Sequence, residues 1–307
     1  MKQQYVEPKR WKGKKKLVFE KVVEVVDEFE KQGYRMTLRQ LYYQLVSRDI
    51  IANSKLEYQK LSVLLTESRM GGLIDWDFIE DRTRTPQKHG EWGNIQNIVN
   101  DAIHQYRRDR WFDQDEYVEV WVEKEALAGI LEPITEKYHV TLMVNRGYSS
   151  ATAMHDSALR FLRKENEEKT THILYLGDHD PSGMDMVRDI EDRMRVFGAS
   201  VCDNVNRIAL NMDQIQEYNP PPNPAKVDDP RAKDYIEQFG NTSWELDALS
   251  PKNLNDLLDV EIRKLLDIEK YNRICRVEEY ERQQLTAVAE EIEIKDDDEV
   301  PSEDELD

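Results

Sequence analysis

The chain has 307 residues, 34% of them charged, and a formal net charge of −19. That length allows about two domains with buried cores. No apolar stretch approaches the roughly twenty residues that cross a bilayer, and no secretory apolar region opens the sequence. Cys202 and Cys275 lie far apart without metal spacing, so neither a zinc site nor a disulfide framework is indicated, and an intracellular, reducing setting is expected.

The charge is unevenly placed. Residues 1–85 hold seventeen Lys or Arg against thirteen Asp or Glu, a balance of +4, whereas residues 290–307 hold eleven acids and one lysine, a balance of −10. A nucleic-acid partner therefore suits the N-terminal part. Residues 1–16 form a basic arm, with Lys2, Lys9, Arg10, Lys12, Lys14, Lys15 and Lys16 around Trp11, suited to gripping phosphates or to solubilising the terminus. Residues 290–307 read as a disordered acidic tail.

From Lys16 to Lys31 the apolar positions Val18, Val22, Val25, Val26 and Phe29 recur at helical spacing and stop at Gly33. Thr37 can N-cap the next helix, in which Leu38, Tyr42 and Leu45 share one face while Tyr43 lies one turn after Arg39. Tyr42 thus reads as core and Tyr43 as a site residue. A third helix, Lys55 to Met70, has Leu56, Leu61, Leu64 and Leu65 as anchors and turns Lys55, Lys60 and Arg69 outward. The alternation Ile74, Trp76, Phe78 then reads as a strand. Helix, helix and strand suggest a CAP-like winged helix over residues 17–112, with Lys55, Lys60 and Arg69 toward DNA and Arg82 and Arg84 at the wing.

Beyond it, Val118 to Val122 is a buried-strand run ending at Glu123. Helix-like Lys124 to Tyr138, an apolar run over His139 to Val144, a turn at Gly147, and helix-like Ser150 to Lys164 follow. Next come the run His172 to Leu176, the loop Gly177-Asp178-His179-Asp180-Pro181-Ser182-Gly183, a helix over Met184 to Phe197 and a fourth strand at Arg207 to Met212. This is the β-α-β-α-β order of a parallel, Rossmann-like sheet, whose ligands sit beyond the strands' carboxyl ends. Glu123, Asp178 and Asp180 would meet there. Three converging carboxylates call for a hard divalent cation, usually magnesium, and hence for a phosphodiester substrate. Taken singly, each acid could equally cap the following helix.

Val122-Glu123-Lys124-Glu125-Ala126 together with Asp178-x-Asp180-Pro181-x-Gly183 resembles the Toprim domain of the topoisomerase VI A subunit and the related meiotic double-strand-break protein. Gly147-Tyr148 matches a Gly-Tyr loop of that family, although Ser149-Ser150 stands where Pro-Asp is usual. Thr37-Leu38-Arg39-Gln40-Leu41-Tyr42-Tyr43 resembles its tyrosine motif. The resemblance implies Mg2+ held by Glu123, Asp178 and Asp180, and Tyr43 as a nucleophile helped by Arg39. It also implies a 5′-phosphotyrosyl DNA intermediate, a homodimer in which Tyr43 of one chain works with the acids of the other, and a separate ATPase subunit. The chain itself has no Gly-x-x-x-x-Gly-Lys-Ser/Thr loop.

Gln216 to Asp229, with Pro220, Pro221, Pro222 and Pro224, reads as a linker or long loop. Ser243 to Leu249 resembles the family's acidic-Ala-Leu segment, and Asn253 to Ile268 and Ile274 to Glu290 read as helices. His179 reads as exposed. The expected organisation is an α/β protein: the arm at 1–16, a winged helix at 17–112, a Toprim domain with helical extension at 113–289, and the tail at 290–307. Its expected function is magnesium-dependent cleavage of double-stranded DNA by Tyr43. The alternatives are a hydrolytic Toprim nuclease and a non-catalytic DNA-binding assembly protein.

Overall fold

The structure, a computed structural model, describes residues 2, 4–79, 90–145, 147, 149–225 and 229–290. Arg82, Arg84, Tyr148 and all of the tail but Glu290 lie outside the described residues. Contacts divide the chain into two units, Met1–Thr85 with Asp115–Leu265, and Pro86–Gln114 with Leu266–Asp307. These units are assembled from separated pieces, whereas the boundaries read from the sequence follow the chain.

In the first unit α1 (Gly13–Lys31) buries Val18, Val22, Val25, Val26 and Phe29, the stripe its periodicity predicts. Helix α2 (Leu38–Ser47) starts at a capping box, in which Gln40 N–H donates to Thr37 Oγ1 and Thr37 N–H to Gln40 Oε1. Helix α3 (Lys55–Met70) is N-capped by Ser54 and buries Leu61, Leu64 and Leu65. Leu56, expected as an anchor, is 60% exposed. Residues 74–79 are not a strand. Asp77 N–H donates to Asp75 Oδ1 at 2.9 Å, a local turn that curls the segment, while Ile74 and Phe78 still reach the core. Among the described residues its one ladder contact is the isolated bridge between Met36 and Ile79.

After α4 (Ile95–Gln105), which belongs to the second unit, the sheet begins. Strand β1 (Glu116–Val122) leads through a 3-10 turn at Glu125–Leu127 to α5 (Ala128–Tyr138), β2 (Thr141–Val144), α6 (Ala151–Asn166), β3 (Thr170–Leu176), α7 (Pro181–Val196) and β4 (Val205–Ala209). All pairings are parallel, in the order β2-β1-β3-β4. Both faces of β1 are covered, so Val118 to Val122 are all buried, and apolar side chains on both faces make the run continuous in sequence. Glu119 interrupts it without cost, because Arg160 donates to both its oxygens at 2.9 Å and Trp121 Nε1 and Tyr117 Oη donate as well.

The rest of this unit is α8 (Met212–Tyr218), β5 (Asn223–Pro224), α9 (Ala232–Phe239), β6 (Thr242–Ser243), a 3-10 turn at Leu246–Ala248 and α10 (Pro251–Leu265). The proline break holds only from Asn219. Gln216 to Tyr218 extend α8, and β5 pairs antiparallel with β6. In the second unit α11 (Ile268–Glu290) runs six residues further toward the N-terminus than its pattern predicts. There Glu278, 2% exposed, accepts from Arg110 Nη2 and Arg282 Nη2 at 2.8 Å and from Arg108 N–H at 3.0 Å.

Candidate active site at the carboxyl edge of the sheet

Strands β1 and β3 are neighbours in register, Val122 opposite Leu176, so the residues that follow them emerge side by side. Glu123 N–H donates to Leu176 O, and Asp178 N–H donates to Glu123 Oε2, both at 3.0 Å. The loop after β3 is shaped by its own residues. Asp180 N-caps α7, its Oδ1 accepting from Gly183 N–H at 2.7 Å and Ser182 Oγ at 2.9 Å, with Pro181 at the first helical position. A Cβ on residue 183 would stand 2.2 Å from Asp178 O, which makes glycine obligatory there. Arg207 of β4 secures the loop by donating to the carbonyls of Gly177, Asp178, Gly183 and Leu210.

A second wall comes from the segment after α9. Trp244 and His179 exchange backbone hydrogen bonds at 2.9 Å, and Leu246 N–H donates to Asp178 Oδ1 at 2.8 Å. His179, read as exposed, is 1% accessible. Its Nδ1 lies 2.8 Å from Tyr235 Oη, and rings of Tyr235, Phe239 and Trp244 surround it. Burial and the charge of Arg207 push its pKa down to about 4, so it is a neutral structural group at pH 7.

Tyr42 and Tyr43 are both buried, 5% and 6% exposed, in one hydrophobic cluster, with their rings packed edge to face at 5.2 Å. Tyr42 Oη donates to Asn53 Oδ1 and accepts from Ser54 N–H, which ties it into the helical core. Tyr43, Asp178, Asp180 and Glu245 line one cavity of about 250 Å3, closed by Asn223, Pro224, Ser243 and Trp244. The Arg39 guanidinium stands 5.7 Å from the centre of the Tyr43 ring. A larger cavity of about 460 Å3 lies at α1 and α3, but it is apolar with Lys14, Lys15 and Lys60 among its lining residues, and no set of reactive groups converges there.

Three residues absent from the predicted site dominate its electrostatics. Lys124 Nζ is 2.7 Å from Asp178 Oδ2 and 3.3 Å from Asp247 Oδ1, and it pairs with Glu245 Oε2. Arg39 bridges Glu245 Oε2 at 2.8 Å and Asp247 Oδ2 at 2.9 Å. Burial opposes the charge of both cations, yet Asp247, Asp178 and Glu245 raise the Lys124 pKa, and Asp247 and Glu245 raise that of Arg39. Glu245 is likewise opposed by burial, but Lys124 and Arg39 hold it down to about 2. Asp178 goes the other way. Burial, with Glu245 and Glu123 adding to it, raises its pKa well above the usual carboxylate range although it also touches Lys124. The difference is that Glu245 has two cations in contact and Asp178 shares one with two competitors. Burial and Asp180 raise Glu123 as well, and burial followed by Glu245 and Asp247 raises the Tyr43 phenol.

Among the described residues no group of three or more His, Cys, Asp or Glu side chains is gathered to hold an ion. Lys124 pairs with Asp178 Oδ2, and Asp180 Oδ1 caps α7. The donor chemistry nonetheless fits a hard divalent cation. All the donors are carboxylate oxygens, each carboxylate offers about four acceptor directions, and backbone N–H groups already orient all three acids.

Of the basic residues read as facing DNA, Lys55 is exposed and Lys60 pairs with Glu57 at 2.7 Å. Arg69 is turned inward. It stacks on Trp76 at 4.3 Å and donates to Trp76 O and Ile79 O. The arm is docked in part, since Lys9, Lys15 and Trp11 Nε1 all donate to Glu67, whose pKa they hold down to about 2. No helix among the described residues is long and apolar enough to cross a membrane. Compared with family models, curated proteins and solved structures, the chain gives no match.

Proposed function

We propose that the chain is a magnesium-dependent DNA-cleaving enzyme of the topoisomerase VI A-subunit type, with a winged-helix-like N-terminal part and a Toprim-like sheet, and with Tyr43 as nucleophile. What carries the reading is the cavity. A tyrosine, two of the three predicted metal-binding acids and the glutamate held by an arginine-lysine pair line one cavity at the carboxyl edge of a parallel sheet, where such folds bind ligands. Glu123, Asp178 and Asp180 would hold the ion. Bound there, Mg2+ would neutralise the phosphodiester and the charge that grows during phosphoryl transfer.

The chain's own groups do the rest. Tyr43 Oη attacks phosphorus, the Oη–P bond forms and the P–O3′ bond breaks, leaving a 5′-phosphotyrosyl end and a 3′-hydroxyl. The phenolic proton passes to solvent, since Glu245, the carboxylate whose charge acts most on Tyr43, is held too acidic by Lys124 and Arg39 to take it. A proton returns to the departing O3′, and Arg39 steadies the phosphate. Tyr43 and its acids line the cavity within a single chain. Cutting two strands takes two such cavities, hence a homodimer, and strand passage would require a separate ATPase.

One observation favours the hydrolytic alternative. Burial and Glu245 raise the Tyr43 phenol and oppose the phenolate, so water could replace it as nucleophile. The two readings separate in one experiment. Wild type, Tyr43→Phe and Asp178→Asn are incubated with Mg2+ and end-labelled supercoiled DNA, and detergent is added. Transesterification gives a covalent adduct lost in both variants. Hydrolysis gives cleavage without adduct, kept by Tyr43→Phe and lost by Asp178→Asn. Duplex binding with neither product leaves a non-catalytic DNA-binding protein.

A further inference from the structure

Arg39 on α2 and Lys124 after β1 come from separate elements, yet both reach a single atom, Glu245 Oε2. Their other partner, Asp247, has no exposed side-chain surface. Glu245 keeps 19% of its side chain exposed and lines the cavity beside Tyr43, which Asp247 does not. One carboxylate is therefore the fixed counter-ion of the pair, and the other stands on the solvent side of it. The segment is held at Trp244 by its bridge to His179 and at Leu246 by its bond to Asp178, so the backbone stays put whatever the Glu245 side chain does. Asp178, Glu245 and Asp247 also put three carboxylates on two cations.

The geometry points to an anion subsite made by Arg39 and Lys124 beside Tyr43, built for a backbone phosphate of nucleic acid and filled in the free protein by the carboxylate of Glu245. A phosphodiester carries the same single charge as that carboxylate and presents oxygens to the same fork of donors. Exchanging one for the other conserves the charge of the cluster and brings the phosphate into the cavity that Tyr43 lines. Glu245 thus acts as a built-in competitor, keeping the two cations paired until a duplex displaces it. The inference rests on the phosphodiester reading of the cavity, and on no particular nucleophile.

The test is metal-free binding of a fluorescein-labelled duplex, followed by anisotropy across a salt series for wild type, Glu245→Gln, Glu245→Gln with Arg39→Gln, and the equal charge change Glu237→Gln at an exposed site of α9. Glu245→Gln should bind about tenfold more tightly, with a salt slope steeper by about one. Adding Arg39→Gln should erase the gain, and Glu237→Gln should show none. Inorganic phosphate at matched ionic strength should release the duplex from Glu245→Gln better than chloride does. An unchanged or weaker affinity in Glu245→Gln, or a gain that survives Arg39→Gln, overturns the subsite. A gain for inorganic phosphate with none for duplex assigns it to a free phosphate and overturns the nucleic-acid assignment. Because EDTA stops any chemistry, this result and the fate of the covalent adduct are read independently.

Discussion

Glu278 in the second unit and Asp178 in the first are both buried carboxylates, 2% and 5% exposed, and they titrate in opposite directions. Burial would raise Glu278, but Arg110, the Arg108 N–H and Arg282 more than reverse it and hold the group down to about 2. Asp178 has one N–H and a third share in Lys124, and burial wins. A buried acid supplied with donors is a structural fastening. One left short of donors, next to two more acids and a tyrosine, stores unfavourable charge that a cation or a phosphate-bearing ligand can relieve.

The largest expected effect separates the two acids by activity. Asp178→Asn should lower the rate of plasmid cleavage by about a thousandfold or more, as removal of a group acting on the transition state does, while Glu278→Gln should leave it within about twofold. Comparable losses in both would erase the contrast. Stability should rank them the other way. Glu278→Gln, which leaves two arginines facing a neutral amide, should cost about 3 kcal/mol in urea unfolding. Glu123→Gln removes a half-buried charge that Asp180 opposes and should be neutral or stabilising by about 1 kcal/mol. A strongly destabilised Glu123→Gln would mean that its carboxylate is as well supplied as that of Glu278.

The pH dependence sharpens the same contrast. The Glu278 pKa is depressed from 4.5 to about 2, so its contribution is complete above pH 4.5 and disappears as pH falls toward 2. Glu123 is raised, so the folded state binds its proton more tightly. Its contribution is complete below 4.5 and is lost as pH rises through the higher folded value. The difference in unfolding free energy between wild type and Glu123→Gln should therefore move against the mutant as pH falls toward 4.5. The smallest effect is that of His179. With its pKa lowered from 6.5 to about 4, stability should decline between those values on acidification, and His179→Gln should flatten that slope.

Much of this was legible in the chain because it is local. Buried parallel strands show as unbroken apolar runs, and Thr37 reads as the N-cap of the helix it begins, whereas helical phase set Tyr43 apart from Tyr42 although both are buried in one cluster. The segment at 74–79 misled because loop side chains packed into a core alternate as a strand's do, while the Asp75 turn that bends them leaves no trace in hydropathy. The partners of Arg39 lie about two hundred residues downstream, so neither charge nor spacing could pair them. Glu245 and Asp247 were visible only as a short acidic-Ala-Leu segment, and Lys124 as the residue between two glutamates. Their meaning comes from the fold that brings them against Asp178.

The central claim is that the short-supplied acids at the sheet edge take a divalent cation against competition from Lys124. Isothermal titration of Mg2+ into wild type, Asp178→Asn and Lys124→Met tests it directly. The account predicts uptake of Mg2+ by the wild type, loss of that uptake in Asp178→Asn, and tighter uptake in Lys124→Met once the ammonium no longer holds Asp178 Oδ2. Uptake that is absent from the wild type, or indifferent to Asp178→Asn, would contradict it.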